Sequence, residues 1–269
     1  MTGFARRVAT LMGVGEDQLE RLSGGDLSQV LLFRRPDGRC TVAKSGFATA
    51  TEAAMLRALA DFGLPTPTVE GEYDGVLLLD HVDNDGVFSP RAWASIGEVV
   101  RRLHDQQGES YGWPVDFGLG SVALDNREMA DWPRFWAERR LIATASVLDR
   151  PWRERVDVAA ERLPDLLPRN PVPSLLHGDL WTGNLLVEAG KVAALIDPAC
   201  YYGHNEVDLA MLALFDTSDQ SFQAAYGALD SGWEERRPAY QLFPALTHMR
   251  LLGPAYGGLV ERLLEQLGA

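Results

Sequence analysis

Residues 176–198 read Leu-His177-Gly-Asp179-Leu-Trp181-Thr-Gly-Asn184-Leu-Leu-Val-Glu-Ala-Gly-Lys-Val-Ala-Ala-Leu-Ile-Asp197-Pro. Two short apolar runs in this stretch, residues 185–188 and 192–196, flank Ala189-Gly190 and predict a β-hairpin. A hairpin would bring Asp197 back to the end of the strand pair at which Asn184 lies. The stretch therefore predicts that these two residues, thirteen apart in sequence, are neighbours.

The spacing of these residues, His-x-Asp-Leu-x-x-x-Asn and then a second Asp, is the one that phosphoryl transfer from ATP uses. That reaction needs positioning and charge stabilisation from the protein. We expect Asp179 to direct the hydroxyl nucleophile as the catalytic base. Asn184 and Asp197 would supply the oxygen ligands that Mg²⁺ prefers. His177 is expected to orient the loop backbone. Each half of the motif alone could be an ordinary turn or strand end, so the prediction depends on their combination.

The chain of 269 residues has a formal net charge of −13 and a pI near 4.8. An acidic surface repels phosphate backbones, so we expect no nucleic-acid partner. The two cysteines, Cys40 and Cys200, have no metal-type spacing and suit a reducing compartment. No apolar run reaches the roughly 18 to 20 residues of a membrane span, and the N-terminus lacks a signal pattern. We therefore predict a cytoplasmic protein with no membrane partner.

A glycine pair, Gly24-Gly25, precedes two predicted strands, residues 29–34 and 40–44, joined by a turn at Arg35-Pro-Asp-Gly38. Glycines there would let backbone N–H groups approach nucleotide phosphates, although such pairs are also common in plain turns. Lys44 ends the second strand, and Glu52 lies in the first turn of a predicted helix that Thr49 or Thr51 could cap. We expect Glu52 to hold Lys44 toward the phosphates of ATP; the alternative is a capping glutamate beside an exposed lysine.

A buried strand at residues 75–79 runs into the polar sequence Asp80-His-Val82-Asp. We predict a hinge here, with the backbone C=O of Asp80 and N–H of Val82 as partners for the adenine edge. The hinge divides the chain into residues 1–82, which carry the nucleotide-binding residues, and residues 83–269, which carry the catalytic loop, the metal ligands and the acceptor pocket.

Two runs of this sequence are distinctive when taken together, His177-Gly-Asp179-Leu-Trp181-Thr-Gly-Asn184 and Asp197-Pro-Ala-Cys-Tyr-Tyr-Gly-His204-Asn-Glu206-Val-Asp208-Leu-Ala. In these runs the chain resembles the fructosamine kinase (ketosamine 3-kinase) family. The segment from Asn126 to Leu141 and the C-terminal segments from Tyr240 extend the resemblance over nearly the whole length. It implies an α+β, bilobal, protein-kinase-like fold, with a small antiparallel sheet in the N-lobe and a larger, mainly helical C-lobe. It also implies ATP-dependent phosphorylation of a ketosamine hydroxyl, typically O3 of a fructosamine or ribulosamine, in the repair of glycated amines.

The acceptor should be small, because Asp197 is followed at once by Pro198 and then by a predicted helix, residues 206–215. A peptide-phosphorylating enzyme needs a long activation segment at this point. Trp181 could stack on a sugar face or pack its own loop. His204 and Glu206 could contact the substrate or cap the following helix. Asp208 is expected to brace the catalytic loop.

Two departures from the family pattern stand in the N-terminal part. Asp26 occupies the glycine loop where some members carry a cysteine, and the stretch from Lys44 to Glu52 is short. Two further functions remain possible: a kinase of the same fold acting on an aminoglycoside or amino alcohol such as choline, and a binding module that retains ATP without transfer. We expect a monomer.

Overall fold

A computed structural model describes residues 3–22, 28–46, 48–216 and 218–269. Its strands, in chain order, are β1 (Glu20–Arg21), β2 (Val30–Arg34), β3 (Cys40–Ser45), β4 (Val69–Tyr73), β5 (Val76–Asp80), β6 (Phe117–Leu119), β7 (Val122–Leu124), β8 (Ser174–Leu176), β9 (Leu185–Glu188), β10 (Lys191–Leu195) and β11 (Tyr201–Gly203). Its helices are α1 (Gly3–Met12), α2 (Thr49–Asp61), α3 (Pro90–His104), α4 (Trp132–Phe135), α5 (Ala143–Ala145), α6 (Arg150–Leu166), α7 (Glu206–Phe215), α8 (Gln220–Tyr226), α9 (Trp233–Leu252) and α10 (Gly257–Gln266).

The chain forms two compact units. Unit 1 comprises Met1–Ala92 and Gly183–Pro198, and unit 2 comprises Trp93–Thr182 and Ala199–Ala269. The β9–β10 hairpin thus belongs with the N-terminal residues. The predicted division into residues 1–82 and 83–269 stays a prediction.

Unit 1 is built on an antiparallel five-stranded sheet with the order β1-β2-β3-β5-β4. Strands β2 and β3 form the predicted hairpin, and its turn is closed by the N–H of Arg35 donating to the carbonyl of Arg39 at 2.8 Å. Gly38 takes φ +88° in this turn, a conformation that glycine adopts without steric cost.

Helix α1 packs on this sheet through Phe4, Ala5 and Val8, which form one core cluster with strand residues that include Leu31 and Phe33. Helix α2 contributes to a second cluster through Leu56, together with Leu77 and Leu79. Adjacent residues of a strand point to opposite faces of the sheet, so Leu77 and Leu78 fall into different clusters. Burial of each such side chain stabilises the fold by about 1.5–3 kcal/mol.

The predicted cap of α2 is wrong. The helix begins at Thr49 after Ala48, and none of the residues that the structure describes caps it with a side chain. The hydroxyl of Thr49 instead donates to Glu72 of strand β4 at 2.7 Å, and Thr51 lies within the helix. The threonine therefore connects the start of α2 to the sheet.

The β9–β10 hairpin confirms the strand–turn–strand prediction. Its register pairs Leu185 with Leu195, and the turn residues Ala189 and Gly190 both take positive φ, 50° and 75°. The N–H of Leu195 donates to the carbonyl of Pro65, and the N–H of Ala189 donates to Asp85. These bonds join the hairpin to the segment that follows α2 and to the segment that follows β5.

Unit 2 has a helical core rich in aromatic side chains. Trp132, Trp136 and Tyr240 are fully buried, and the indole N–H of Trp132 donates to the Tyr240 hydroxyl at 3.0 Å. Helix α4, a π-helical segment at Trp136–Ile142 and helix α5 follow one another directly along the chain. Hydrogen bonds in a π-helix run from residue i to i+5, so it is wider than an α-helix. In this segment the consecutive residues Arg140 and Leu141 are both buried.

The remaining strands of unit 2 form short antiparallel pairs, β6 with β7 and β8 with β11. Among the residues that the structure describes, no helix is both long enough and apolar enough to cross a membrane.

Candidate active site

The site residues of unit 1 meet at Lys44. Its Nζ atom lies 2.8 Å from Oε1 of Glu52 and 2.8 Å from Oδ1 of Asp197. Strand β3 carries the lysine, the first turn of α2 carries the glutamate, and the aspartate follows β10. The expected ion pair of Lys44 with Glu52 is therefore present, and Asp197 joins it.

The surroundings hold the lysine in its charged form. Burial by itself lowers the pKa of Lys44, but the carboxylates of Glu52 and Asp197 outweigh that effect and raise the pKa above its usual range. The side chains of Lys44 and Glu52 are each 9% exposed, whereas that of Asp197 is 35% exposed. A fixed cation thus lies beside a carboxylate that a ligand can reach.

Asp197 is positioned by an uncommon backbone conformation. Its φ is +55°, in the left-handed region, which costs an L-residue about 1–2 kcal/mol. Aspartate tolerates this region better than most residues do. Chain strain of this kind at a residue that contacts Lys44 is typical of functional sites.

Asn184 lies at the same end of the hairpin as Asp197. It ends the 3₁₀ turn Thr182–Asn184, its carbonyl accepts the N–H of Ile196 at 3.1 Å, and it is 5% exposed. The hairpin register therefore brings together two residues that offer hard oxygen donors, as the spacing predicts.

The catalytic loop of unit 2, residues 177–182, follows strand β8. Gly178 takes φ +78°, and a Cβ atom there would lie 2.1 Å from the carbonyl oxygen of Ala199. The N–H of Asp179 donates to Nδ1 of His177 at 3.3 Å, which confirms that His177 orients the loop backbone. The N–H of Ala199 also donates to the carbonyl of His177, at 2.8 Å. These contacts fix the backbone of the two residues just before Asp179, the candidate base. The side chain of Asp179 itself is only partly buried.

Asp208, in the first turn of α7, confirms the bracing prediction. Its carboxylate accepts the N–H of His177 at 2.7 Å and that of Gly178 at 2.9 Å. The ring Nε2 of His104 lies 3.2 Å from the same carboxylate, and Nδ1 of that ring lies 2.8 Å from the hydroxyl of Tyr226. His104 and Tyr226 could not be predicted from the sequence, because neither belongs to a motif and 122 residues separate them.

Two of the residues predicted to contact the substrate are buried in unit 2 and bond other side chains there. His204 is 4% exposed, and its Nδ1 lies 2.7 Å from the hydroxyl of Tyr240. Glu206 is 2% exposed and forms a bidentate ion pair with Arg236, at 2.8 and 2.5 Å. Neither side chain caps α7. Burial and these partners correct the expectation that both side chains face the substrate.

Trp181 is exposed by 37%, and its ring meets Phe215 edge to face with the centroids 6.5 Å apart. It therefore both packs on its own unit and presents apolar surface beside Asp179 in the loop. Contact with the substrate stays a prediction for Trp181.

The remaining predicted nucleotide contacts lie in unit 1. Gly24 and Gly25, and with them Asp26, lie outside the described residues. Asp80 ends β5, its N–H donates to the carbonyl of Thr68 at 3.0 Å, and Val82 follows in an irregular segment. The adenine-binding role of Asp80 and Val82 stays a prediction.

Comparison with known proteins gives a consistent result. The model of the family described as fructosamine kinase matches residues 12–269. A protein of Lactiplantibacillus plantarum named as a probable ketoamine kinase is 36% identical over 203 residues, which cover 72% of this chain and 71% of that protein. The chloroplastic protein-ribulosamine 3-kinase of Arabidopsis thaliana is 29% identical over 215 residues, covering 75% of this chain and 65% of that protein.

Solved structures agree in fold. A crystal structure named for a fructosamine-3-kinase of Thermobifida fusca superposes with a TM-score of 0.85 at 29% identity, and 98% of each chain is covered. The aminoglycoside phosphotransferase APH(4)-Ia, in a ternary complex with AMP-PNP and hygromycin B, has a TM-score of 0.67 at 19% identity, with 99% of this chain and 97% of that chain covered. The latter likeness shows the protein-kinase-like fold alone.

Proposed function

This chain belongs to the fructosamine kinase family and is a phosphotransferase, and we propose that it transfers the γ-phosphoryl group of ATP to a sugar hydroxyl of ketosamines, at O3 of fructosamines or ribulosamines. The observation that carries the proposal is the position of Lys44 between Glu52 and Asp197, with 2.8 Å to each carboxylate. A lysine fixed in this way is the phosphate-binding cation that ATP-dependent transfer requires.

Each residue has one task in the proposed reaction. Lys44 binds the phosphates, and Glu52 keeps its ammonium oriented. Asp179 accepts a hydrogen bond from the acceptor hydroxyl and takes its proton. The hydroxyl oxygen forms a bond to the γ-phosphorus while the bond to the bridging oxygen breaks, so ADP leaves and a phosphate ester remains.

The donors at the hairpin end fit magnesium. Asn184 offers an amide oxygen and Asp197 a carboxylate, which are hard ligands of the kind that Mg²⁺ takes together with water and phosphate oxygens. Magnesium, when bound, neutralises charge on the phosphates. The exposed fraction of the Asp197 side chain, 35%, supports its accessibility to such an ion. We therefore propose that Asn184 and Asp197 hold the metal that accompanies ATP.

The short connection after Asp197 supports a small acceptor. Pro198 follows directly, then the three-residue strand β11, and α7 begins at Glu206. A segment that presents a peptide has no room here. The names of the relatives, ketoamine kinase and protein-ribulosamine 3-kinase, point to the acceptor class, and we propose Trp181 as the aromatic platform for its sugar face. The cellular role would then be repair of glycated amines.

Product mapping tests the proposal. Purified protein is incubated with MgATP and, separately, with synthetic fructosamine, ribulosamine, an aminoglycoside and choline. Phosphorus and proton NMR of the products then identify the phosphorylated position. We expect ADP release and a 3-phosphate with the ketosamines only. Turnover confined to the aminoglycoside or to choline would overturn the ketosamine assignment, and nucleotide binding without transfer to any acceptor would overturn the kinase assignment.

A further inference from the structure

The catalytic loop is held on helix α7 at both of its ends. Asp208, in the first turn of the helix, accepts the backbone N–H groups of His177 and Gly178. Asp216, directly after the last turn, accepts the backbone N–H of Thr182 at 2.9 Å and its hydroxyl at 2.5 Å. Eight helical positions correspond to about 12 Å, which an extended run of four residues can span. The two carboxylates therefore hold the first and last residues of one loop.

A third anchor lies between them. Leu180 is 0% exposed, whereas its neighbours Asp179 and Trp181 are both less buried. The buried leucine fixes the middle of the loop, and the two side chains with proposed roles flank it. The anchor nearest to Asp179 is Asp208, and the anchor nearest to Trp181 is Asp216.

Asp216 stands at a position that helix energetics do not favour. It follows α7 as its C-cap, and its own N–H bonds the carbonyl of Leu212 at 3.0 Å. The C-terminal end of a helix carries partial negative charge, so a carboxylate there is repelled. Asp208, by contrast, lies at the favourable N-terminal end. The two charge-assisted bonds to Thr182 compensate for the repulsion at Asp216.

The residue before Asp216 contacts the residue before Thr182. Phe215 meets the ring of Trp181 edge to face, and its centroid also lies 4.6 Å from that of the His248 ring. Backbone, hydroxyl and ring at this end of the loop are thus all bound to the end of α7. The bonds of Asp216 restrict the rotation of the backbone directly beside Trp181.

We propose that Asp216 is a positioning residue that fixes Trp181 through Thr182 and so sets the affinity for the acceptor, separately from the chemical step. This inference rests on the proposed function, in which Trp181 contacts the sugar. Loss of the Asp216 bonds leaves the anchors at Asp208 and Leu180 in place. Trp181 then samples several orientations, and only the fraction in the bound orientation is competent to receive the acceptor.

A series of four variants tests the proposal. Asp216→Ala removes both bonds, and Thr182→Val removes the hydroxyl bond only. Asp216→Asn and Thr182→Ser keep partners for both bonds and serve as conservative variants. Asp219→Ala is the matched control, because this nearby, half-buried aspartate caps α8 through the N–H of Ser221 and, among the residues that the structure describes, does not bond the catalytic loop. Thermal unfolding checks that each variant is folded.

Steady-state kinetics with a ketosamine and ATP give the first readout. For Asp216→Ala we expect the KM of the acceptor to rise about three- to tenfold, because the competent fraction falls by that factor. Thr182→Val should show a smaller rise. The kcat value and the KM of ATP should stay within about twofold of those of the unmodified protein. Asp216→Asn, Thr182→Ser and Asp219→Ala should keep the acceptor KM.

Fluorine NMR of protein labelled with 5-fluorotryptophan gives a readout that needs no turnover. The Trp181 resonance is assigned from its loss in Trp181→Phe. We expect it to shift or broaden in Asp216→Ala and to keep its position in Asp216→Asn and Asp219→Ala. An unchanged Trp181 resonance in Asp216→Ala would overturn the positioning role, as would an equal loss of kcat and acceptor affinity. Absence of ketosamine turnover in the unmodified protein would instead overturn the proposed function.

Discussion

Oδ1 of Asp197 lies 2.8 Å from Nζ of Lys44, and this contact joins the segment after the β9–β10 hairpin to the middle strand of the N-terminal sheet. The contact places a carboxylate and a fixed cation side by side, an arrangement suited to a metal ion and the phosphates that it accompanies. The backbone of Asp197 is left-handed, with φ +55°, so a strained conformation and a charged contact occur at the same residue.

Asp197→Ala should weaken MgATP binding by at least about tenfold, equivalent to 1.4 kcal/mol. Binding of ATP without magnesium should change little, because Lys44 and Glu52 remain. Calorimetric titration with and without Mg²⁺ measures both. Asp74→Ala is the matched control, since Asp74 also takes a left-handed φ, 48°, in the same unit but is not among the proposed site residues. If Mg²⁺ changed the affinity for ATP equally in the Asp197 variant and in the control, the proposal that Asp197 binds the metal would be refuted.

Lys44→Met should destabilise the fold by about 3–5 kcal/mol, because it leaves the buried carboxylate of Glu52 without its partner. The double variant Lys44→Met/Glu52→Gln should recover part of that loss, because residue 52 then carries no unpaired buried charge. Urea unfolding of both variants and of the single Glu52→Gln gives the comparison. Strictly additive effects would show that the two side chains do not interact.

Asp179→Asn should lower turnover by at least about 10²-fold, since a general base typically contributes 10²–10⁴-fold. ATP affinity should stay close to that of the unmodified protein, because Lys44, Asn184 and Asp197 are untouched. Coupled detection of ADP measures the rate, and fluorescence of a bound nucleotide analogue measures the affinity. Near-normal turnover would remove Asp179 from the mechanism.

Gly178→Ala should destabilise the protein more than Gly13→Ala does. Both glycines take left-handed φ, +78° and +66°, so each alanine adds about 1–2 kcal/mol of backbone strain. At Gly178 the new Cβ atom meets a backbone oxygen, that of Ala199 at 2.1 Å, whereas at Gly13 it has no neighbour within 4 Å in the described part of the chain. Chemical denaturation gives the free energy of unfolding of each variant, and the difference between the two losses is the steric contribution at Gly178. A smaller loss at Gly178 than at Gly13 would contradict the fixed loop geometry.

His204 should make stability depend on pH in the acidic range. Burial, together with the nearby Arg236 and His104, lowers the pKa of His204 to about 3. The unfolded chain titrates near pH 6.5, so between pH 6.5 and 3 it binds a proton that the folded protein does not. Stability contributed by the neutral ring is therefore complete above pH 6.5 and is lost on acidification, at up to about 1.4 kcal/mol per pH unit.

His204→Gln removes this titration and keeps a polar group near the Tyr240 hydroxyl, which lies 2.7 Å from the histidine ring. Its free energy of unfolding should vary less between pH 4 and 6.5 than that of the unmodified protein. Urea unfolding at several pH values measures the slope. Identical slopes would show that His204 is not responsible.

Several parts of the fold and site follow from local sequence. The β9–β10 hairpin could be predicted because two apolar runs flank a residue pair suited to a tight turn. The spacing of Asp179, Asn184 and Asp197 identified the chemistry, because phosphoryl transfer constrains which residue types occur together. The ion pair of Lys44 and Glu52 was predictable for the same reason.

Other features depend on contacts between residues that are distant in sequence. His204 and Glu206 belong to a recognisable run, yet their partners Tyr240 and Arg236 lie on α9 and occupy them internally. The local sequence around a side chain does not reveal that a helix about thirty residues further along the chain will cover it. The same limit applies to the wide π-helical segment at Trp136–Ile142, which the apolar pattern could not distinguish from an ordinary helix.

The sequence by itself determined the catalytic chemistry, the hairpin that unites Asn184 with Asp197, and the family, since these depend on residue type and short spacing. The tertiary structure alone decided that Lys44 contacts Asp197, that Asp197 adopts a left-handed backbone, and that Asp216 holds Thr182. Such contacts arise when packed elements bring distant residues together, and the free energy of burial that selects the packing is summed over the whole core.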